Sequence, residues 1–207
     1  MHKIPKLYDE YYIKKNDERN ELFRILADTL NIKHGLYPGS FVHITPSFFI
    51  PHMVYIDTDK RCKKFFSDKL TLDYIVRKKA YDESPEIRFH PADFTSSINE
   101  KAESFDLLIS LYSGFISKHC KKYLKKSGLL IANNSHGDAP LAYFDQSFKM
   151  IGVVKRRGNH FKISDKDLNA YFQTKTGKPI DIERVEKTMR GPAFTKTAYA
   201  YIFKKIS

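Results

Sequence analysis

The stretch HGLYPGSF, His34 to Phe41, decides the reading of this chain, together with VYIDTD, Val54 to Asp59. In the first, a short apolar run stops at a Pro-Gly turn. In the second, an apolar run ends in an acidic cluster. Two readings are open: a nucleotide-type cofactor site with an unusual glycine loop, or a buried strand, a tight turn and another strand.

Outward from this pair the rhythm is one of short apolar runs ending in polar turns, separated by stretches that can be helical, which is how a parallel sheet with crossover helices reads. Five such runs are expected as strands: 33–37, 53–57, 87–90, 105–111 and 129–132. A helix over 70–81 precedes the third. An amphipathic crossover helix is expected from Phe115 to Leu124, with its lysines outward and Gly128 closing it. Upstream, residues 7–30 read as one or two helices, with Asp17 available as a cap and Leu22, Phe23, Ile25, Leu26 and Leu30 at helical spacing. Beyond residue 138 the pattern loosens. Helical stretches at 139–148 and 165–172, a strand at 150–155 and a β-type alternation at 197–205 are expected there. A closing antiparallel strand sets this order apart from a doubly wound dehydrogenase half.

At 207 residues, 42% hydrophobic and 29% charged, the chain is long enough for one core that buries about 70% of its unfolded surface. One domain is expected, with residues 1–32 as a helical flank and 33–207 as the core. Nothing approaches the roughly 18 unbroken apolar residues of a membrane span, and the amino terminus has no signal-peptide core, so a soluble, cytoplasmic protein is expected. Cys62 and Cys120 are the only cysteines and read as packing thiols in a reducing setting. The eight histidines form no metal-spaced set, so no metal is expected. The net charge is +12, and residues 149–207 hold 14 Lys and Arg against 5 Asp and Glu. Such a basic quarter would attract nucleic acid, a phosphorylated metabolite or an acidic protein, or else is a solvated lysine-rich surface.

These positions together resemble the class I S-adenosylmethionine-dependent methyltransferases, well over about residues 33–133 and loosely over 148–205. GLYPGS stands where that family has its glycine turn after strand one. Asp57 stands where an acidic residue ends strand two, Asp93 in HPADF follows strand three, FDLLISLYSGF matches strand four, and LKKSGLLIANN matches the turn into strand five. The resemblance implies an α/β, Rossmann-like doubly wound, mostly parallel sheet with a C-terminal antiparallel strand, preceded by N-terminal helices. It also implies S-adenosyl-L-methionine as cofactor, held over Gly39, Asp57, Asp93 and Leu111. The chain departs from the family's pattern at strand one, where Tyr37 takes the usual acidic place, Pro38 follows, and Phe41 stands where a second glycine is common. Tyr37 or Ser40 would then replace the missing acceptor for the cofactor's amino group.

The residues give separate physical reasons. Gly39 lets backbone approach a ligand where a Cβ would collide, and a carboxylate at a strand end can accept both hydrogen bonds of a ribose diol. Candidates for chemistry cluster in NNSHGDA after strand five: His136 has a pKa suited to a base, and Asp138 stands beside it. The bland reading of that stretch is a turn with Asp138 capping the next helix. Tyr112, at the end of strand four, is a third candidate. Tyr112-Ser113-Gly114 takes the place of the Asn/Asp-Pro-Pro-aromatic box of amino-methylating nucleic-acid enzymes, which argues against adenine or cytosine amino methylation. The leading expectation is a methyltransferase on an unidentified acceptor whose charge can be anionic. The alternative is a non-catalytic scaffold that holds nucleic acid or a protein through its basic quarter. A dinucleotide-dependent oxidoreductase is weaker, since no G-x-G-x-x-G follows strand one.

Overall fold

The computed structural model describes residues 3–207. Alternation along the apolar runs sends successive side chains to opposite faces, and here both faces are covered. Tyr37, Met53, Tyr55, Leu107, Ile109 and Ile131 enter one core, and Leu36, Val54, Ile56, Leu108, Leu130 and Ala132 enter the other. The strands are β1 (His34–Pro38), β2 (His52–Ile56), β3 (Glu86–His90), β4 (Phe105–Ser110), β5 (Leu124–Ala132), β6 (Phe148–Arg157), β7 (His160–Ser164) and β8 (Ala200–Lys205). They join one sheet in the order β3-β2-β1-β4-β5-β8-β6-β7. The first five are parallel. β8 inserts antiparallel between β5 and β6, and β7 pairs antiparallel with β6. The strand order reverses between β1 and β4, so their carboxyl ends open the crevice where such sheets take ligands.

Helices line both faces. On the first are α2 (Asn20–Leu30), which buries Leu22, Phe23 and Leu26, α3 (Lys60–Ser67) and α4 (Lys69–Lys78). Asp59 and Asp68 cap α3 and α4 by accepting from the Arg61 and Leu70 amides. On the second face are α5 (Ile116–Cys120) and α6 (Asp138–Phe144). A short turn, α1 (Lys6–Tyr8), leads into a π-helical turn at Asp9–Ile13, and α7 (Ile182–Thr188) lies between β7 and β8. No helix of the described residues is long and apolar enough to cross a membrane.

Several expectations are corrected. The crossover helix expected over 115–124 is only α5 and a 3-10 turn at Lys121–Tyr123, and β5 has already begun at Leu124. Ser127, at φ 66°, then kinks β5, so that its pairing with β4 skips from Phe105–Leu124 to Leu107–Leu129. Gly128 therefore ends no helix. It lies under Leu124, whose Cδ1 would come within 2.8 Å of a Cβ there. Asp17 caps nothing: Arg19, left-handed at φ 59°, holds the N-cap place before α2, and the Asp17 carboxylate pairs with Arg19 and with Arg156 instead. The helix expected at 165–172 shrinks to a 3-10 turn at Leu168–Ala170, and that at 139–148 stops at Phe144. β7 and α7 are elements beyond those the sequence predicts.

Candidate active site

The glycine loop is held from two sides. Gly39 leaves β1 at φ +63°, and its amide donates to the Ile56 carbonyl at the end of β2 (2.7 Å). A Cβ on Gly39 would stand 2.3 Å from Cβ of Ser113, so only glycine fits both the backbone angle and the approach of the β4 loop. Ser113 Oγ then donates to the Gly39 carbonyl (2.8 Å) and ties the tips of β1 and β4 together. Phe41, also left-handed, donates its amide to Asp57 Oδ2 (2.7 Å), while Asp57 Oδ1 accepts from the Asp59 amide (2.8 Å). Past β3, Asp93 accepts from the Thr95 amide (2.8 Å), and bonds from Thr95 hold its carboxyl below the usual range.

These loops enclose a cleft of about 260 Å³ lined by Gly39, Asp57, Thr58, Ala92, Asp93, Phe94, Tyr112 and Ser113. Four of the residues expected from the sequence, Gly39, Asp57, Asp93 and Tyr112, meet there. The others do not. Tyr37 is buried, with its hydroxyl donating to His43 Nδ1 (3.2 Å). That proton assignment follows from His43 Nε2 donating to the Glu18 carbonyl (3.0 Å). Ser40 is buried as well, its Oγ donating to the Phe41 carbonyl. Leu111 packs into the first core.

Past β5, Asp138 is sealed inside the protein. Its carboxylate accepts from Ser110 Oγ (2.5 Å), Ser117 Oγ (2.5 Å) and the Ser117 amide (3.0 Å), so it caps α5 rather than its own helix. Burial pushes its pKa up to about 6 against the pull of those bonds. His136 is half-buried on the turn between β5 and α6, with Nδ1 3.0 Å from Ser135 Oγ and outside the cleft lining. Tyr112, 47% exposed and left-handed at φ 65°, stands at the cleft's mouth.

Sequence reasoning missed Arg19. Its side chain is 9% exposed, paired with Asp17, and its guanidinium lies 5.2 Å from the centre of the Tyr112 ring. Burial opposes its charge, but Tyr37, Tyr199 and Asp17 around it hold it firmly protonated. Two buried polar atoms nearby lack partners: Nδ2 of Asn133, whose Oδ1 takes the Tyr112 amide, and the hydroxyl of Tyr199. Ser113 enters the sequence reading only as part of its tripeptide; a serine two residues past an apolar run carries no signal of its own. Among the described residues no group of three or more His, Cys, Asp or Glu could hold a metal ion.

Comparison with solved structures places the fold. A methyltransferase from Geobacter sulfurreducens aligns over 72% of this chain and 82% of its own at 15% identity, TM-score 0.51. The N-methyltransferase NodS from Bradyrhizobium japonicum, in complex with S-adenosyl-L-homocysteine, aligns over 99% of this chain and 94% of its own at 11% identity, TM-score 0.50. The chain spans 65% of the length of an S-adenosyl-L-methionine-dependent methyltransferase structure from Methanococcus maripaludis, with 66% of this chain aligned at 18% identity and TM-score 0.45. No protein-family model matches the sequence, and no curated protein does. The chain has the class I methyltransferase fold, as its motif order had implied.

Proposed function

We propose that the protein is an S-adenosyl-L-methionine-dependent methyltransferase whose cofactor lies in the cleft at the tips of β1 to β4. The observation that carries this reading is the convergence of Gly39, Asp57, Asp93 and Ser113 at the point where the strand order reverses. The donor set suits the nucleoside half. Each Asp57 oxygen accepts one backbone amide, which leaves a lone pair on each for a ribose diol. Asp93 has acceptor capacity for an adenine amino group, and Ala92 and Phe94 offer apolar walls for the base.

The methionine half falls to Gly39 and Ser113, because the Tyr37 and Ser40 hydroxyls are committed within the loop. Arg19, whose guanidinium lies 5.2 Å from the centre of the Tyr112 ring, is assigned to the methionine carboxylate. When bound, the cofactor supplies the methyl group, and the chain's task is to hold donor and acceptor in near-attack geometry. Tyr112, at the mouth, positions the acceptor, and His136 is the base for an acceptor that starts protonated. A reducing, cytoplasmic setting is supported by Cys62 and Cys120, both buried as free thiols.

Isothermal titration with S-adenosylmethionine and S-adenosylhomocysteine tests the assignment. Binding in the micromolar range, weakened about a hundredfold in Asp57→Ala as expected for loss of two charge-assisted bonds, is the expected result. Absence of heat up to millimolar ligand overturns it.

A further inference from the structure

The segment between β7 and β8 roofs the tips of β4 and β5. Asn134 Nδ2 donates to the Pro192 carbonyl (2.8 Å), and Gly191 sits so close to Asn134 that a Cβ on it would overlap Oδ1 at 1.9 Å. A Cβ on Gly137 would meet Val185 of α7 at 2.3 Å. Met189 Cε and Phe94 Cζ both stand 3.4 Å from the Cβ position of Gly114, so the end of α7 meets a wall of the cofactor cleft. Beside that contact lies an open groove of about 610 Å³.

Three cations line it: Lys178, Arg184 and Arg190. Twelve of the chain's other 33 Lys and Arg side chains are paired, Lys118 with Glu186, Lys121 with Asp145 and Arg88 with Glu100 among them. These three lie within ion-pair distance of no carboxylate among the described residues. The one acid in the lining, Asp181, spends an oxygen on the Arg184 amide (2.9 Å). Thr174 and Thr188 donate their hydroxyls to the Lys178 and Arg184 carbonyls, so the groove offers charge rather than free hydroxyl donors. Ile180, Val185 and Pro192 add apolar surface to its lining. Unpaired like charges around one concavity repel each other until an anion enters, and guanidinium and ammonium donors are the groups that take a phosphoryl oxygen.

We propose that this groove binds the phosphoryl group of a small phosphorylated acceptor and so presents the rest of that molecule to the cleft beside Met189. The proposal rests on the methyltransferase reading for the acceptor's fate, but phosphate binding itself does not depend on it. The volume suits one small ligand, whose sites run to about 300–1,000 Å³, and three cations around one hollow do not form the extended basic track that a polynucleotide needs.

The test is titration of the full chain with inorganic pyrophosphate, followed by ¹⁵N amide shifts and calorimetry. Saturable binding with shifts concentrated in residues 174–193, weakened about tenfold or more in Arg184→Gln/Arg190→Gln, is expected for loss of two charge-assisted contacts. Both arginines are exposed, so the variant should keep its melting temperature and its affinity for S-adenosylhomocysteine. Shifts scattered over the basic surface without saturation, or a double variant that binds pyrophosphate as the parent does, overturn the groove. In a parallel arm, a labelled single-stranded RNA of about 20 nucleotides is titrated by anisotropy at several salt concentrations. RNA binding that the double variant abolishes, with no binding of pyrophosphate, overturns the small-molecule assignment in favour of a polynucleotide backbone. Pyrophosphate binding in a protein silent to S-adenosylhomocysteine would sink the methyltransferase reading and leave the groove standing.

Discussion

Gly39 carries two constraints in one residue, and they can be separated. Its left-handed angle strains any L side chain, and Ser113 occupies the place of a Cβ. Gly39→Ala should therefore cost about 2–4 kcal/mol, the sum of backbone strain and a forced shift of the β4 loop. Gly39→Ala/Ser113→Gly should recover the steric part and retain about 1 kcal/mol of backbone strain. Urea unfolding of the two variants and the parent checks this, and a double variant no more stable than the single one would show that Ser113 is not the obstacle. Arg19 poses a second question at this scale. Arg19→Lys keeps the charge but loses the planar fork. It should weaken S-adenosylmethionine about tenfold while leaving adenosine binding unchanged, because the charge is assigned to the amino-acid end. Equal losses for both ligands in calorimetry would count against that assignment.

Among the elements, α5 and α6 are joined to β4 by a single carboxylate. Asp138 accepts from Ser110 on β4 and from Ser117 near the start of α5 while sitting in the first turn of α6. α5 has only five residues and no side-chain cap of its own, so it depends on this tertiary one. Asp138→Ala leaves two buried hydroxyls and an amide unpaired and should cost about 3–5 kcal/mol, read as a lower denaturant midpoint. Amide exchange in that variant should rise first in residues 116–123. Uniform loss of protection across the sheet would instead mean that the clamp holds the whole fold.

Over the whole molecule, two buried groups oppose each other on acidification. His43 ordinarily titrates near 6.5; burial first, then the Arg19 charge, pushes it down to about 3. As pH falls below 6.5 the unfolded chain gains a proton that the native one refuses, so stability drops. Asp138 ordinarily titrates near 3.8 and is raised to about 6, so between those values the native chain holds a proton that the unfolded one lacks, and stability grows on acidification. Each slope is about 1.4 kcal/mol per pH unit, and they cancel between about pH 4 and pH 6. Asp138→Asn removes the compensating group. Its stability, from urea unfolding at a series of pH values, should fall between pH 6 and pH 4 more steeply than the parent's by about that slope. Parallel curves would show that Asp138 is not protonated in this window.

The chain by itself determined the parallel half of the sheet and the carboxylates at its tips. Strands buried on both faces must be nearly continuous apolar runs, and a run that ends in Gly39 or Asp57 marks its own carboxyl end. The alternation at the end of the sequence likewise marked β8. The rest depended on contacts between distant residues. β7 is five residues with one buried side chain, and α7 buries only Val185, so neither carries a period that can be read. The lysine-rich approach to β5 reads as helix until Ser127 kinks it in strand pairing with β4. Arg19 lies in the polar stretch NDERNE, where nothing local marks a residue that folding carries beneath Tyr112. Burial of a polar side chain is a property of what packs over it, and only the tertiary structure decides that.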